Sequence, residues 1–242
     1  MSLKLISFSK KSHIANIVLN KPLINQKIAQ ELVEACQTIH EDDDIYVVTL
    51  TGSGGIFCRG SEGDIAEAYH PATAFAAVEQ PVIAAINGDA LGLGLEIALS
   101  CDIRLAADKA HFSLPQVAAG LIPTDGGTQR LPRIIGRGKA LELLLTGVTI
   151  TAVEALEIGL VSRVVPAGSL AGEVAKLGES IAAKGPIALR YLKEAILKGM
   201  DMTLEQGLKL EADLYFLLHT TSDRTEGIKS FLEKRTPKYK GK

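Results

Sequence analysis

The hydrophobic pattern divides the chain into short strands that alternate with helices. LISFS at 5–9 and HIANIVLN at 13–20 have β-type patterning on either side of a polar turn, which predicts a hairpin. Over 24–39 the apolar positions repeat at helical spacing, and the acidic run at 41–44 ends that pattern. A short apolar run at 46–51 then predicts a buried strand.

The middle of the chain repeats one local order of strand, glycine-rich turn and helix. After a helical remnant that ends near Ala77, the stretch PVIAAINGDALGLGLEIALSCDIRLAA at 81–107 predicts strand, turn, helix and strand. A short strand after His111 leads to a turn at 123–127, and this turn precedes a basic helix. KALELLLTG at 139–147 predicts a second helix.

Beyond position 151 the pattern is mainly helical. Thr151 with Glu154 and Thr203 with Gln206 have the spacing of a capping box. A strand, SRVVP, is predicted near 162, and helices are predicted at about 169–184, 187–198, 203–219 and 223–234. We therefore expect an α/β core over 1–185 and a helical C-terminal region over 186–242.

Charge and composition exclude several classes of protein. Among 242 residues, 26 are basic and 28 are acidic, so the net charge of −2 argues against a nucleic-acid binder. No apolar run reaches the roughly 18 residues that span a bilayer, and the first residues do not resemble a secretory signal. We expect a cytoplasmic protein with no membrane partner, and a solvated basic tail at 234–242.

Cysteine and histidine do not indicate a metal site. Cys36, Cys58 and Cys101 are odd in number and lack metal-type spacing, and the five histidines are scattered. We expect neither a metal nor a disulfide framework.

Two stretches place glycines between a predicted strand and a helix: FCRGSEGDI at 57–65 and NGDALGLGLEI at 87–97. Glycine lets backbone approach a ligand, and the first turn of a helix has unpaired N–H groups that can bind an anion or oxyanion. Ordinary turns without a catalytic role are the alternative. Gly92 and Gly94 do not complete a dinucleotide fingerprint because Ile97 stands where the third glycine would be, and no P-loop is present.

The chain resembles the enoyl-CoA hydratase/isomerase family, also called the crotonase family. Four motifs carry this resemblance: the two glycine stretches and two later segments, AHFSLPQVAAGLIPTDGGTQRLPRIIG and EGIKSFLEKRTPKYKG. The resemblance covers essentially the whole chain. It implies an α/β, crotonase-like spiral of repeated ββα units with a helical C-terminal trimerisation region. It also implies an acyl-CoA thioester as substrate, no cofactor beyond that thioester, and a homotrimer or a dimer of trimers.

The resemblance further implies that two backbone N–H groups hold the thioester carbonyl. They carry over as those of Ser61, after Gly60, and Leu93, after Gly92. Leu93 must accept the backbone angles there, where relatives often have glycine. A register centred on Gly63, Asp64 and Ile65 is an alternative for the first donor. The substrate-binding residues carried over are Cys58, Gly60, Glu62, Gly63, Gly92 and Pro115.

Hydratases of this family use two glutamates, and only one carries over. It is Glu96, whereas the second position holds Gln116, whose amide does not titrate in the useful range. Asp125 either supplies the missing carboxylate or, as we favour, caps the helix that follows it. Glu62 is likewise either a working carboxylate or a first-turn acid. A structural role is favoured for His111, and Cys58 lacks a partner base for nucleophilic catalysis.

The sequence thus favours an enoyl-CoA hydratase that stabilises a thioester enolate. Isomerase, decarboxylase or thioester hydrolase activity is the alternative among enzymes. A non-catalytic CoA-binding subunit is a further alternative, because Gln116 replaces a carboxylate.

Overall fold

A computed structural model describes residues 4–63 and 69–242. The strands are β1 (Ile6–Lys11), β2 (Ile14–Leu19), β3 (Val47–Gly52), β4 (Val82–Ile86), β5 (Ala90–Leu91), β6 (Ile103–Ala107), β7 (His111–Ser113), β8 (Ile150–Thr151) and β9 (Arg163–Val165). The helices are α1 (Gln26–Glu41), α2 (Pro71–Ala76), α3 (Leu93–Ser100), α4 (Gly127–Ile135), α5 (Arg137–Thr146), α6 (Ala152–Glu157), α7 (Leu170–Ala182), α8 (Pro186–Gly199), α9 (Leu204–Leu218) and α10 (Ser222–Leu232). Single 3₁₀ turns span Pro115–Ala119 and Ala167–Ser169.

The larger sheet has the order β1-β2-β3-β4-β6-β9 and is parallel except for the β1–β2 hairpin. A parallel sheet is stable only when both faces are covered. One face packs against a core that includes residues of α1 and α3, and Leu170 and Val174 of α7 pack on the other. The smaller sheet has the order β5-β7-β8. The predicted hairpin and the strand-turn-helix order are confirmed.

The first helix starts later than the pattern predicts. Ile24 is not helical, because its N–H donates to the Gly60 carbonyl (2.9 Å) and its carbonyl accepts from the Glu62 N–H (2.9 Å). Asn25 is the N-cap of α1, and its side chain accepts from the Ile28 N–H at 3.1 Å. The displaced start therefore attaches the chain before α1 to the Gly60–Glu62 segment.

The C-terminal helices agree with the pattern within a few residues. Both capping boxes form, at Thr151 with Glu154 and at Thr203 with Gln206. The division between residues 185 and 186 stays a prediction. In the part of the chain that the structure describes, no helix is both long enough and apolar enough to cross a membrane.

Candidate active site

Glu96 lies on α3 with 1% of its surface exposed. Its Oε1 accepts from two backbone N–H groups, of Asp125 at 2.7 Å and of Gly127 at 2.9 Å. Its Oε2 has one long contact, from the Gln116 Nε2 at 3.4 Å. Because α3 is buried on every side, the carboxylate is removed from bulk water. Its orientation is fixed through Oε1, and Oε2 is the oxygen left for chemistry.

Burial raises the pKa of Glu96 above its usual value, because the charged form loses hydration. The N–H bonds from Gly127 and Asp125 oppose that rise in pKa, and the negative charge of Asp125 adds to it. The Arg130 guanidinium lowers the pKa slightly. A carboxyl group with a raised pKa is suited to taking and returning a proton near neutral pH.

Gln116 lies on the 3₁₀ turn over Pro115–Ala119 and faces Glu96. Its Oε1 is buried and has no hydrogen-bond partner among residues 4–63 and 69–242. A buried acceptor without a donor is costly unless a water molecule or ligand satisfies it. The Glu96 Oε2 and the Gln116 Oε1 are thus two acceptors on adjacent side chains, which suits a molecule that donates two hydrogen bonds.

The two glycine stretches run side by side next to this pair. Cys58 pairs in parallel with Ala90, and the Leu91 N–H donates to the Cys58 carbonyl at 2.8 Å. The chain then turns at Gly60 (φ 118°) and at Gly92 (φ 52°), where a side chain is disfavoured. A Cβ on Gly92 would lie 3.7 Å from the Gly60 Cα and 3.8 Å from the Gln116 Nε2. Both turns and Gln116 therefore meet at one place.

The two candidate donors follow these glycines directly. Neither the Ser61 N–H nor the Leu93 N–H donates to an acceptor within the described chain. Leu93 is the first residue of α3, where N–H groups lack a partner in the helix. A leucine is tolerated at position 93 because the positive φ lies on Gly92 and not on Leu93. Both N–H groups are available to hold an oxyanion.

Gly94 is a site residue that the sequence reasoning missed. A Cβ on Gly94 would lie 2.2 Å from the Cys58 carbonyl oxygen and 2.7 Å from the Cys58 Cβ. Only glycine lets α3 approach the backbone at Cys58 so closely, and this approach brings the two turns together. The second glycine of the Gly92-Leu93-Gly94 triplet is the signal that indicates it.

The preferred interpretation of Asp125 as the N-cap of α4 is wrong. Gly126 is the N-cap residue of α4, and no side chain caps it. Asp125 lies one residue too early, and its carboxylate instead accepts from the N–H groups of Ala72 (2.6 Å) and Thr73 (3.0 Å) in α2. Asp125 donates its backbone N–H to Glu96, and its carboxylate binds the N-terminal end of α2.

The remaining candidates lie around the site with differing exposure. The Cys58 side chain is fully buried, and burial raises the pKa of its thiol to about 11, so the thiolate nucleophile is disfavoured. Glu62 and Gly63 are exposed, as is Pro115 at the start of the 3₁₀ turn. Asp64 and Ile65, which define the alternative register, lie outside the described residues.

His111 is exposed, and its Nδ1 is 3.1 Å from the Asp89 carboxylate. Among the described residues no group of three or more His, Cys, Asp or Glu could hold a metal ion.

Comparison with known proteins identifies relatives over the whole chain. A family model described as enoyl-CoA hydratase/isomerase matches residues 9–242. A crotonyl-CoA hydratase from Syntrophomonas wolfei is 37% identical over 99% of both chains. The 2,3-dehydroadipyl-CoA hydratase of Escherichia coli is 36% identical, covering 97% of this chain and 98% of the relative. The crystal structure of an enoyl-CoA hydratase from Bacillus anthracis aligns with a TM-score of 0.92 and 40% identity over 99% of this chain and 100% of that one.

Proposed function

Since the chain belongs to the enoyl-CoA hydratase/isomerase family and has the crotonase fold, we propose that it adds water to the double bond of a 2-enoyl-CoA. One observation carries this proposal: the Oε2 of the buried Glu96, whose pKa is raised, lies against the Gln116 amide beside the turns at Gly60 and Gly92, and the Oε1 of that amide has no donor among the described residues. Relatives named as hydratases support the same reaction.

The thioester oxygen is held by the N–H groups of Ser61 and Leu93. These donors strengthen as charge develops on the oxygen, and loss of one donor in such a pair typically costs about 3–4 kcal/mol of transition-state stabilisation. Both N–H groups are free of partners in the described chain, which supports this role. The surrounding residues carried over as substrate-binding are Cys58, Gly60, Glu62, Gly63, Gly92 and Pro115. Of these, the fully buried Cys58 contributes backbone rather than its thiol.

Glu96 acts as both base and acid in the proposed reaction. Water donates one hydrogen bond to the Glu96 Oε2 and the other to the Gln116 Oε1. As the water oxygen bonds to the β-carbon, Glu96 takes the proton, and the electrons of the double bond move to the thioester oxygen as an enolate. The enolate then collapses, and Glu96 returns the proton to the α-carbon. Gln116 orients the water and transfers no proton.

The test is hydration of crotonyl-CoA by the wild-type chain and by Glu96→Gln. We expect turnover by the wild type and a loss of about 10²–10⁴-fold in kcat for the variant, as for removal of a general acid–base. Binding of crotonyl-CoA without turnover by the wild type would contradict the proposal and favour a CoA-binding subunit. Gln116→Met, which removes both polar atoms, is expected to lower kcat as well.

Isomerisation is the second candidate, and Gln116 is the observation that favours it. A single titrating carboxylate is sufficient to move a proton between two carbons, whereas hydration must also activate water. Incubation with a 3-enoyl-CoA distinguishes the two reactions, because an isomerase converts it to the 2-enoyl isomer faster than it hydrates crotonyl-CoA. Release of CoA or of carbon dioxide would instead indicate a thioester hydrolase or a decarboxylase.

The oligomer that we propose is a homotrimer or a dimer of trimers. Large apolar side chains are exposed on and around α8, α9 and α10, and a patch of this kind marks an interaction site. They are Leu192, Ile196, Met200, Leu204, Leu208, Phe216 and Phe231. Light scattering should give the mass of a trimer or hexamer, and Ile196→Glu should lower it, whereas Lys27→Glu on α1 should not.

Cellular location and cofactor use also stay predictions. Cys36, Cys58 and Cys101 are all free thiols, which is compatible with the reducing cytoplasm. The CoA thioester is the only organic group that the proposed reaction needs.

A further inference from the structure

Asp125 connects three parts of the fold although its carboxylate does not face the proposed substrate. The carboxylate accepts from the Ala72 N–H (2.6 Å), the Thr73 N–H (3.0 Å) and the Thr73 Oγ1 (2.7 Å). Its backbone N–H donates to the Glu96 Oε1 (2.7 Å), and its carbonyl accepts from the Arg130 Nη1 (2.7 Å). With 3% of its surface exposed, the residue has every polar group paired.

This arrangement requires both side-chain oxygens of Asp125 to accept hydrogen bonds. Three donors converge on the two side-chain oxygens, and an amide of the same shape would turn an N–H group toward at least one of these donors. The consequence is mechanical, since the turn that supplies both N–H groups to Glu96 is attached to α2 through this side chain. A shift of that turn moves the Glu96 carboxylate.

We propose that Asp125 is a positioning residue, which anchors the turn at 125–127 to α2 and thereby holds Glu96 in the orientation needed for proton transfer. This inference rests on the proposed function, in which Glu96 moves the proton. It differs from the sequence-based alternative, in which Asp125 itself carries a proton.

The pKa of Glu96 depends on the groups around it and provides a second way to test this role of Asp125. Two charged side chains change the pKa of Glu96: Asp125 on the turn and Arg130 on α4. Gln116, on the 3₁₀ turn, is neutral. His70, before α2, lies 3.8 Å from the Asp125 carboxylate, and Glu62 is exposed. The negative charge of Asp125 helps to raise the pKa of Glu96. The two N–H bonds from the turn lower the pKa of Glu96 by more than this charge raises it, so displacement of the turn should move the Glu96 titration to higher pH.

Asp125→Asn is the primary test, with Thr73→Val as its matched control. For crotonyl-CoA hydration we expect Asp125→Asn to lower kcat at least tenfold with little change in KM. The rising acid limb of kcat/KM should move to higher pH, because the N–H bonds that lower the Glu96 pKa weaken when the turn moves. Thr73→Val removes one of the three bonds and keeps the charge, so it should lower Tm and leave that limb in place.

An Asp125→Asn enzyme with wild-type kcat and an unmoved acid limb, but a lower Tm, would overturn the inference. If this variant does not fold, Asp125→Glu replaces it. It keeps the charge but displaces the turn, so kcat should fall and the acid limb should move to higher pH. An unchanged kcat would contradict the inference.

A readout without turnover separates this inference from the hydratase proposal. The ¹³C resonance of the Glu96 carboxyl, assigned by its loss in Glu96→Gln, reports its titration directly. If the wild type has no hydratase activity, a higher Glu96 pKa in Asp125→Asn than in wild type still supports positioning of the turn by Asp125. Equal titration midpoints would reject it.

Discussion

The two oxygens of Glu96 have different surroundings, and this difference explains how one carboxylate can serve as both base and acid. Oε1 accepts two short backbone bonds and fixes the side chain. Oε2 has only the 3.4 Å contact with Gln116 and is available for a proton. The raised pKa then follows mainly from burial, which the two N–H bonds only partly offset.

Glu96→Gln should make the protein more stable at neutral pH while removing activity. A carboxyl whose pKa is raised on folding stabilises the fold below its unfolded pKa, near 4.5, and this contribution is lost as the pH rises through the folded value. Each pKa unit corresponds to about 1.4 kcal/mol. The Tm of Glu96→Gln should exceed that of wild type at pH 8, with the gap closing near pH 4. The exposed Glu211→Gln is the control, and a lower Tm for Glu96→Gln at pH 8 would contradict this account.

Gln116→Glu tests whether the amide is part of the mechanism. Two carboxyl groups in contact cannot both ionise readily, so the new glutamate should raise the pKa of the pair. The acid limb of kcat/KM for crotonyl-CoA should therefore move to higher pH, with kcat at its plateau within about threefold of wild type. A steep rise in hydration rate would instead mean that the native chain is adapted to another reaction.

The residues of the site differ in how far sequence could identify them. Glu96 and Gln116 could be found because the resemblance to the family assigns catalytic positions to these two places in the sequence, and the structure brings them within 3.4 Å. The contact between the Asp125 carboxylate and α2 could not be predicted from the sequence. Ala72 is 53 positions away, and the contact exists only because α2 packs beside the 125–127 turn.

At the scale of elements, the site depends on the close approach of α3 to the strand segment at Cys58. Successive backbone bonds fix the register between the Cys58 segment and β5, and Gly94 removes the side chain that would separate them. Sequence predicted each strand-turn-helix unit, because apolar spacing and glycine position are local. The approach of the two units is a tertiary property that no local pattern encodes.

Gly94→Ala should therefore damage both stability and activity. Its Cβ would meet backbone at 2.2 Å, and α3 would have to move. We expect a loss of about 2–4 kcal/mol in the free energy of unfolding and a large fall in kcat. The matched control is Gly172→Ala in α7, where a Cβ meets nothing within 4 Å; it should stabilise by up to about 1 kcal/mol. Equal effects of the two variants in denaturant titrations would contradict the packing argument.

At the scale of the whole molecule, a buried ion pair attaches the C-terminal helices to the core. The Lys193 Nζ on α8 donates to the Asp102 carboxylate (2.7 Å) and to the Gln80 carbonyl (3.0 Å), and its side chain is 9% exposed. The C-terminal tail is also attached, because the N–H groups of Lys240 and Gly241 donate to the Asp223 carboxylate. The basic side chains of this tail are exposed, as its composition predicts, but its backbone is attached to α10, which composition does not indicate.

Lys193→Met should destabilise the chain by about 3 kcal/mol, because it leaves Asp102 without its charge partner in a partly buried place. Lys198→Met on the same helix breaks a pair with Glu194 whose side chains are 62% and 33% exposed, and should cost under about 0.5 kcal/mol. Urea titrations of the two variants measure the difference. Similar midpoints would mean that the buried pair does not hold α8 to the core.

The carbonyl stretch of bound substrate tests most directly whether the Ser61 and Leu93 N–H groups polarise a thioester. Infrared difference spectra of crotonyl-CoA, labelled with ¹³C at the carbonyl and bound to inactive Glu96→Gln, isolate this vibration. We predict a clear shift to lower wavenumber than in free crotonyl-CoA, because two hydrogen bonds weaken the C=O bond. An unshifted carbonyl band at saturating occupancy would contradict the account.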